Sequence, residues 1–323
     1  MLTFPDFKQK QIIIVFGNEG QRTKIKNDNL LIINKESETI SQLTCYKILA
    51  IWLIGPSIMT SGLFEKSKRF GFSVFLLSTT FRPLGCWGAI TEGNTLLRSI
   101  QYQYNSLHIP KLLIKNKISN QVNLLKSIRN KPSKLKNNIS TIQDQLSLIE
   151  SKSKVSELMG LEGYSAKIFF SEWFANMDWK GRKPRTKIDP INVLMDMGYT
   201  YLFNFIEGLL LLYGFDIYKG VYHQIFYQRK SLVCDLVEPF RCIIDNQLKV
   251  SYNLNQIKES DFTYKNDQYL LPFSKAKPYT QFLMQAILNH KEDIFLYIQQ
   301  YYRKFIRNKT DSFPFFDFKA GKK

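Results

Sequence analysis

Histidine and cysteine are scarce in this chain of 323 residues, which has three of the first and four of the second. Cys45, Cys86, Cys234 and Cys242 form no CxxC pair. That spacing argues against a zinc site or a disulfide framework, and isolated thiols fit a reducing, cytoplasmic setting. A bilayer-spanning run is also missing. Residues 48–58 are too few and are broken by Gly55-Pro56, while residues 193–213 carry Asp196, Asn204 and Glu207 and read as a buried helix. A signal peptide is not expected, because Asp6, Lys8 and Lys10 fall where its apolar core would begin. No internal repeat stands out. The last absence is local: residues 93–143 contain no acid.

What is present is base. Lys and Arg number 45 against 27 Asp and Glu, for a net charge of +18 and a pI near 9.6. Such an excess suits an anionic polymer or surface, nucleic acid first and a membrane surface second. With 44% hydrophobic and 14% aromatic residues, the chain can bury a sizeable core.

The patterning predicts an α+β protein, with a small β-rich N-terminal domain over residues 1–93 and a larger all-α domain over 94–323. Residues 12–16 (IIIVF), 30–33 (LLII) and 72–77 (FSVFLL) read as strands, and residues 57–70 as a short helix. Residues 41–52 mix strand and helix signals. Gly85, Gly88 and Gly93 read as a flexible exit. The acid-free stretch then repeats apolar residues at helical intervals (Leu112, Leu113, Ile118, Val122, Leu125), with a break near Pro132. Its Lys111, Lys115, Lys117, Lys126 and Lys136 form either a solvated face or a phosphate-tracking surface. Residues 155–173 project as a helix that puts Glu162 on one face with Ala166, Phe169 and Trp173. Asp189-Pro190 reads as the cap and first residue of a long apolar helix.

One stretch concentrates the chemistry: residues 223–241, HQIFYQRKSLVCDLVEPFR. It holds His223 and two carboxylates, Asp235 and Glu238, at a spacing that shares a helical face. At about 4 Å and an effective dielectric of about 20, two such charges repel by roughly 4 kcal/mol. A cation, a base or water would each relieve this. Pro239 disfavours helical geometry at Glu238 and breaks the helix there; alternatively it starts a new turn, with Glu238 paired to Arg241. Two carboxylates and an imidazole form a hard donor set suited to Mg²⁺ or Mn²⁺. With a basic exterior, that suggests phosphodiester chemistry.

Three blocks, LMGLEGYSAKIFF, DPINVLMDMGYTYL and VYHQIFYQRKSLVCDLVEPFR, together resemble the CRISPR-associated endonuclease and integrase family Cas one, which carries out spacer acquisition. The resemblance covers nearly the whole chain. It implies that Glu162, His223 and Glu238 bind Mn²⁺ or Mg²⁺ and that Asp235 supports them, all four being catalytic. It also implies joining of 3′-hydroxyls of foreign DNA fragments to phosphodiesters at a CRISPR repeat. The implied partners are DNA, a second copy of the chain through the β-rich domain, a Cas two dimer and a Cas four nuclease, as in type V-like loci. Ser165 stands where many members have Ala. The DNA-contacting residues expected are Arg182, Lys183, Arg185, Lys187, Arg229, Lys230, Arg303, Lys304 and Arg307. Two other readings compete: another metal-dependent, transposase-like DNA nuclease, and a noncatalytic basic DNA-binding scaffold.

Overall fold

The computed structural model describes residues 2–17, 20–88, 91, 93–307 and 313–320. It divides into two compact units, Met1–Arg98 with Glu207–Phe215, and Ser99–Ile206 with Asp216–Lys323. The sequence boundary at residue 93 did not anticipate that Glu207–Phe215 groups with the first unit.

In the first unit, α1 (Phe4–Lys8) precedes β1 (Gln11–Phe16), and a three-stranded antiparallel sheet follows: β2 (Arg22–Lys26), β3 (Asn29–Ile33) and β4 (Thr39–Thr44). Next come β5 (Ile48–Ile54), α2 (Ser61–Phe70), β6 (Ser73–Leu77) and β7 (Pro83–Gly88). The second sheet runs β1-β5-β6-β7, parallel except for the antiparallel β6–β7 pair. β5, ILAIWLI, is buried at all seven positions. A near-continuous apolar run is what a parallel strand covered on both faces requires. Val15, Leu30, Ile32, Ile51, Leu53, Leu63 and Val74 make the core. Residues 41–52 carried two signals because they hold the end of β4, a 3₁₀ turn at Cys45–Lys47 and most of β5. Gly85 and Gly88 correct the expectation of a flexible exit, since both lie in β7. A Cβ on Gly88 would stand 2.5 Å from Ser73 Cα, so this glycine permits close pairing of strands.

The second unit is built on helices. α3 (Thr95–Gln103) begins in the first unit and ends in the second. It leads to α4 (His108–Ser127), α5 (Ser133–Leu148), α6 (Val155–Trp173) and α7 (Pro190–Tyr213), whose final turns belong to the first unit. α8 (Ser231–Val237), a 3₁₀ turn at Glu238–Phe240 and α9 (Arg241–Asn253) follow. A short hairpin of β8 (Thr263–Lys265) and β9 (Gln268–Leu270) precedes α10 (Ala276–Asn289) and α11 (Lys291–Arg307). No helix among the described residues is long and apolar enough to cross a membrane. Asp189 Oδ1 accepts the Asn192 amide at 2.7 Å, capping α7 with Pro190 at its first position.

α4 is the hub. It packs against α5, α6, α8, the 3₁₀ turn and α9. Its buried side includes four polar residues, Asn116, Lys117, Asn120 and Gln121. A buried polar group needs a partner, and two of these find theirs in the chain's last segment. Asn116 donates to Phe316 O at 2.7 Å and accepts from Phe316 N at 2.9 Å. Asn120 donates to Phe316 O and to Pro239 O, each at 2.9 Å, and accepts from Phe318 N at 3.0 Å. The Asn pair thus binds the C-terminal segment to the turn that carries Glu238.

Candidate active site

Lys117 was expected on a basic surface; it is instead only 8% exposed. Its ammonium is shared by Glu162 of α6 and Glu238 of the 3₁₀ turn, forming an ion pair with each. Two carboxylates from separate elements therefore converge on one cation. Burial alone would lower the Lys117 pKa, but Glu238 and Glu162 outweigh it and hold the ammonium above its ordinary value.

Glu238 lies at the junction of two helices, just before Pro239. α8 stops at Val237, the chain tightens into the 3₁₀ turn, and α9 restarts at Arg241. Glu238 keeps helical dihedrals, φ −54° and ψ −46°, which corrects the expectation that Pro239 would disfavour them; the alternative reading, a new turn with Glu238 paired to Arg241, is the one the structure has. The Arg241 Nε and Nη2 groups donate to the two carboxylate oxygens at 2.9 and 3.0 Å, a bidentate fork. Burial of Glu238 favours its neutral form, but Arg241 and Lys117 dominate and hold its pKa at about 2. Arg241 in turn lies over the Tyr199 ring at 4.5 Å.

Glu162 sits beside the buried stripe of α6 rather than within it. That stripe is Leu158, Leu161, Ser165, Phe169 and Trp173. The Glu162 side chain keeps 23% of its surface exposed. The stripe places the carboxylate at the edge of the core, where α6 faces α4.

Asp235 is fully buried and fully engaged. Its Oδ2 accepts the amides of Val221 and Tyr222 at 2.6 and 3.0 Å, and its Oδ1 accepts the amide of His223 at 2.8 Å. The His223 Nδ1 contacts the same Oδ1 at 2.7 Å. A carboxylate only accepts, so Nδ1 carries a proton and, in the neutral ring, Nε2 has the lone pair. Gly220 makes room for this arrangement, because a Cβ there would meet Asp235 Oδ2 at 2.7 Å. Asp235 therefore shapes the 220–223 loop and fixes the imidazole tautomer. Tyr222 adds a donor: its hydroxyl is buried with no hydrogen-bond partner among the described residues. Burial, then the charges of Glu162, Glu238 and Asp235, push its pKa up.

For a divalent cation, the donor set fits in kind. Glu162 and Glu238 already share a cation, and His223 offers a free Nε2 held by a carboxylate. Among the described residues, however, no three His, Cys, Asp or Glu side chains gather as a ligand shell. The pair Glu162–Glu238 is assembled round the Lys117 ammonium, and His223 is organised separately by Asp235.

The residues expected to contact DNA divide. Lys183, Arg185 and Arg229 are exposed, while Lys187 and Lys230 are half-buried. Arg182 is engaged internally, pairing with Asp196 at 2.7 Å and lying over Tyr199 at 5.5 Å. On α11, Arg303 is exposed and Lys304 half-buried, and the Arg307 side chain lies outside the described ones. Sequence reasoning missed Lys117 as a site residue. A signal was present in its neighbours, because Asn116, Asn120 and Gln121 interrupt the apolar side of a helix.

The family model described as CRISPR associated protein Cas1 matches residues 14–283. The CRISPR-associated endonuclease Cas1 1 of Thermodesulfovibrio yellowstonii is 31% identical over 65% of this chain and 70% of its own. A Cas4 exonuclease/Cas1 endonuclease fusion of Leptospira interrogans is 28% identical over 93% of this chain and 59% of its own. Among solved structures, a casposase bound to integration product superposes with a TM-score of 0.80 at 18% identity, covering 97% of this chain and 95% of its own. A chain of a Cas6-RT-Cas1–Cas2 complex gives 0.81 at 21% identity, covering 98% of this chain and 36% of its own. At these identities the structural likeness shows the fold, and the family match shows the kinship: the chain belongs to the CRISPR-associated Cas1 family.

Proposed function

We propose that this protein is a metal-dependent DNA integrase and endonuclease, which joins 3′-hydroxyls of foreign DNA fragments to phosphodiesters at a CRISPR repeat. The observation that carries the reading is the convergence of Glu162 and Glu238 on one cation, in the same unit as an imidazole whose tautomer is fixed by Asp235. Glu162, Glu238 and His223 Nε2 would hold Mn²⁺ or Mg²⁺, which when bound supplies Lewis-acid polarisation of a phosphoryl oxygen and a more acidic attacking hydroxyl. The chain's own groups do the rest. Arg241 and Lys117 keep Glu238 ionised, and Lys117 holds Glu162 beside it. Asp235 holds the His223 proton on Nδ1. The Tyr222 hydroxyl is a donor available to a phosphate oxygen.

The relatives support the wider assembly. Some are fusions with Cas4, and solved neighbours include Cas1–Cas2 complexes. We assign this chain a homodimer through its β-rich unit, a Cas two dimer as bridging partner and Cas four as an assisting nuclease. The net charge of +18 suits simultaneous contact with a fragment and a target.

The test is incubation with labelled fragment, repeat-bearing plasmid and Mn²⁺, with and without the Cas two partner. Repeat-directed joining is expected from the parent, and its loss from Glu162→Gln, His223→Asn and Glu238→Gln with DNA binding kept. Cutting indifferent to the repeat would favour the transposase-like reading, and chelator-insensitive binding without products would favour a scaffold.

A further inference from the structure

The basic loop before α7 is held by the helix it leads into. Asp189, Asn192, Asp196 and Tyr199 follow one another at spacings of three, four and three, so the cap and three helical residues line one face. The first three grip the loop. Asp189 Oδ2 accepts the amide of Lys180 at 3.0 Å, Asn192 Oδ1 that of Lys183 at 3.2 Å, and Asp196 Oδ2 that of Arg185 at 2.9 Å. Asn192 Nδ2 donates to Gly181 O at 2.9 Å. The Arg182 guanidinium donates to Asn192 Oδ1 at 3.2 Å and to Asp196 Oδ1 at 2.7 Å. Arg185 takes a left-handed φ of 66°, which a residue other than glycine keeps only where its surroundings demand it. Lys183 and Arg185 stay exposed. The loop therefore presents these charges from a fixed backbone.

Tyr199 carries the same face on to the acids. Its ring is buried, with the Arg182 guanidinium over it at 5.5 Å and that of Arg241 at 4.5 Å. Its hydroxyl donates at 2.5 Å to Asp245 Oδ1, one turn beyond Arg241 on α9. Gly198 lets α7 and α9 close up, because a Cβ there would meet Ile244 Cγ2 at 2.6 Å. Ring and hydroxyl thus fix Tyr199 against Arg241 and Asp245, and Arg241 spends its fork on Glu238. Each guanidinium has its own carboxylate, Asp196 or Glu238, so one buried ring is shared by two ion pairs. We propose that Tyr199 is a positioning residue for the phosphodiester chemistry: its ring sets Arg241, and so the Glu238 carboxylate, and ties that setting to Arg182 and the loop that displays Lys183 and Arg185. This rests on the reading of Glu238 above as a site carboxylate. It adds a route by which phosphates held on the loop bear on the site.

The test uses the full chain and two readouts. Joining of labelled fragment to repeat-bearing plasmid in Mn²⁺ is followed at rising fragment concentration, which separates the rate at saturation from fragment affinity. The Arg241 Nε–H resonance of arginine-labelled protein is followed in EDTA, where no chemistry occurs. Tyr199→Leu should slow saturated joining by about tenfold, the scale of a desolvated cation–π contact, with fragment affinity kept and the Arg241 resonance shifted. Tyr199→Phe keeps the ring, drops only the hydroxyl and should restore both readouts. Arg182→Met leaves the ring in place and should shift the Arg241 resonance too; combined with Tyr199→Leu it should slow joining no further. Parent-like joining by Tyr199→Leu would overturn the proposal, as would a loss of affinity in place of rate. If Tyr199→Leu does not fold, Arg182→Met decides, and an unmoved Arg241 resonance overturns the proposal. Products from the parent with that resonance unmoved by either variant sink only the role of Tyr199. A parent without products, whose resonance Tyr199→Leu shifts and Tyr199→Phe restores, sinks only the chemistry.

Discussion

Replacing Lys117 with methionine keeps the length of the side chain and removes the ammonium that Glu162 and Glu238 share. The cost follows from the geometry. The Lys117 and Glu238 side chains are 9% and 6% exposed. Removing one partner of a buried ion pair costs about 3–5 kcal/mol, because the other charge stays buried. Here Glu238 keeps its Arg241 fork, and Glu162 is 23% exposed and partly solvated. The lower end, about 3 kcal/mol, is therefore expected, a large share of the roughly 5–15 kcal/mol that holds a protein folded. Native-state hydrogen exchange of α4 and α6 in chelator should report it. Adding Mn²⁺ should restore more protection in the variant than in the parent, since a bound cation stabilises in proportion to its affinity and the variant has no ammonium to compete with it. A cycle with Glu162→Gln should show coupling of about 0.5–3 kcal/mol. If Lys117→Met exchanges like the parent in chelator, or gains no more from Mn²⁺, then the ammonium is not the resident counter-ion of the two acids.

Other expectations follow from the same network. Glu238, held at about pH 2 against an ordinary 4.5, contributes stability that is full above about pH 4.5 and is lost as pH falls through about 2; Glu238→Gln should flatten unfolding free energy in that window. Asp245 behaves oppositely. Burial raises it to about 7 from 3.8, despite the Tyr199 hydroxyl donating to it at 2.5 Å, so stability should fall as pH rises from about 4 to 7, and Asp245→Asn should remove that slope in urea titrations across pH. Asp235→Asn places an amide against backbone donors and releases the His223 proton; joining should drop by about 10–100-fold or more, and nitrogen NMR of the imidazole should show the tautomer lost. Asn120→Ala leaves Pro239 O, Phe316 O and Phe318 N without that partner. At about 1 kcal/mol for each of the two bonds to the tail, the tail should loosen by roughly 2 kcal/mol, read as protease cleavage after Phe313.

The parts of the fold that sequence reveals are those set by local rules. α6 runs over the expected residues, and the Asp189-Pro190 start of α7 is a matter of backbone donors and a fixed φ. β5 declares itself as an unbroken apolar run. β2 does not, because RTKIK alternates only partly buried side chains with exposed ones, and its pairing with β3 supplies what its composition lacks. In the site, the acids and the imidazole stand out as rare types in an apolar setting. Lys117 does not, for its burial depends on where α6 and the 3₁₀ turn place their carboxylates, and no local pattern encodes that. Arg182 shows the converse: it lies in a basic loop, yet its charge is spent on Asp196.

The Asn116–Asn120 clasp has a consequence for the order of assembly. Asn120 joins groups 119 and roughly 200 positions away along the chain. Closing so long a loop is slow and comes late, and the backbone of residues 316–318 must exist before Asn116 and Asn120 can be satisfied. During synthesis, α4 and α6 are complete long before that segment leaves the ribosome. The turn bearing Glu238 then gains its full set of contacts only once residues 316–318 have been made.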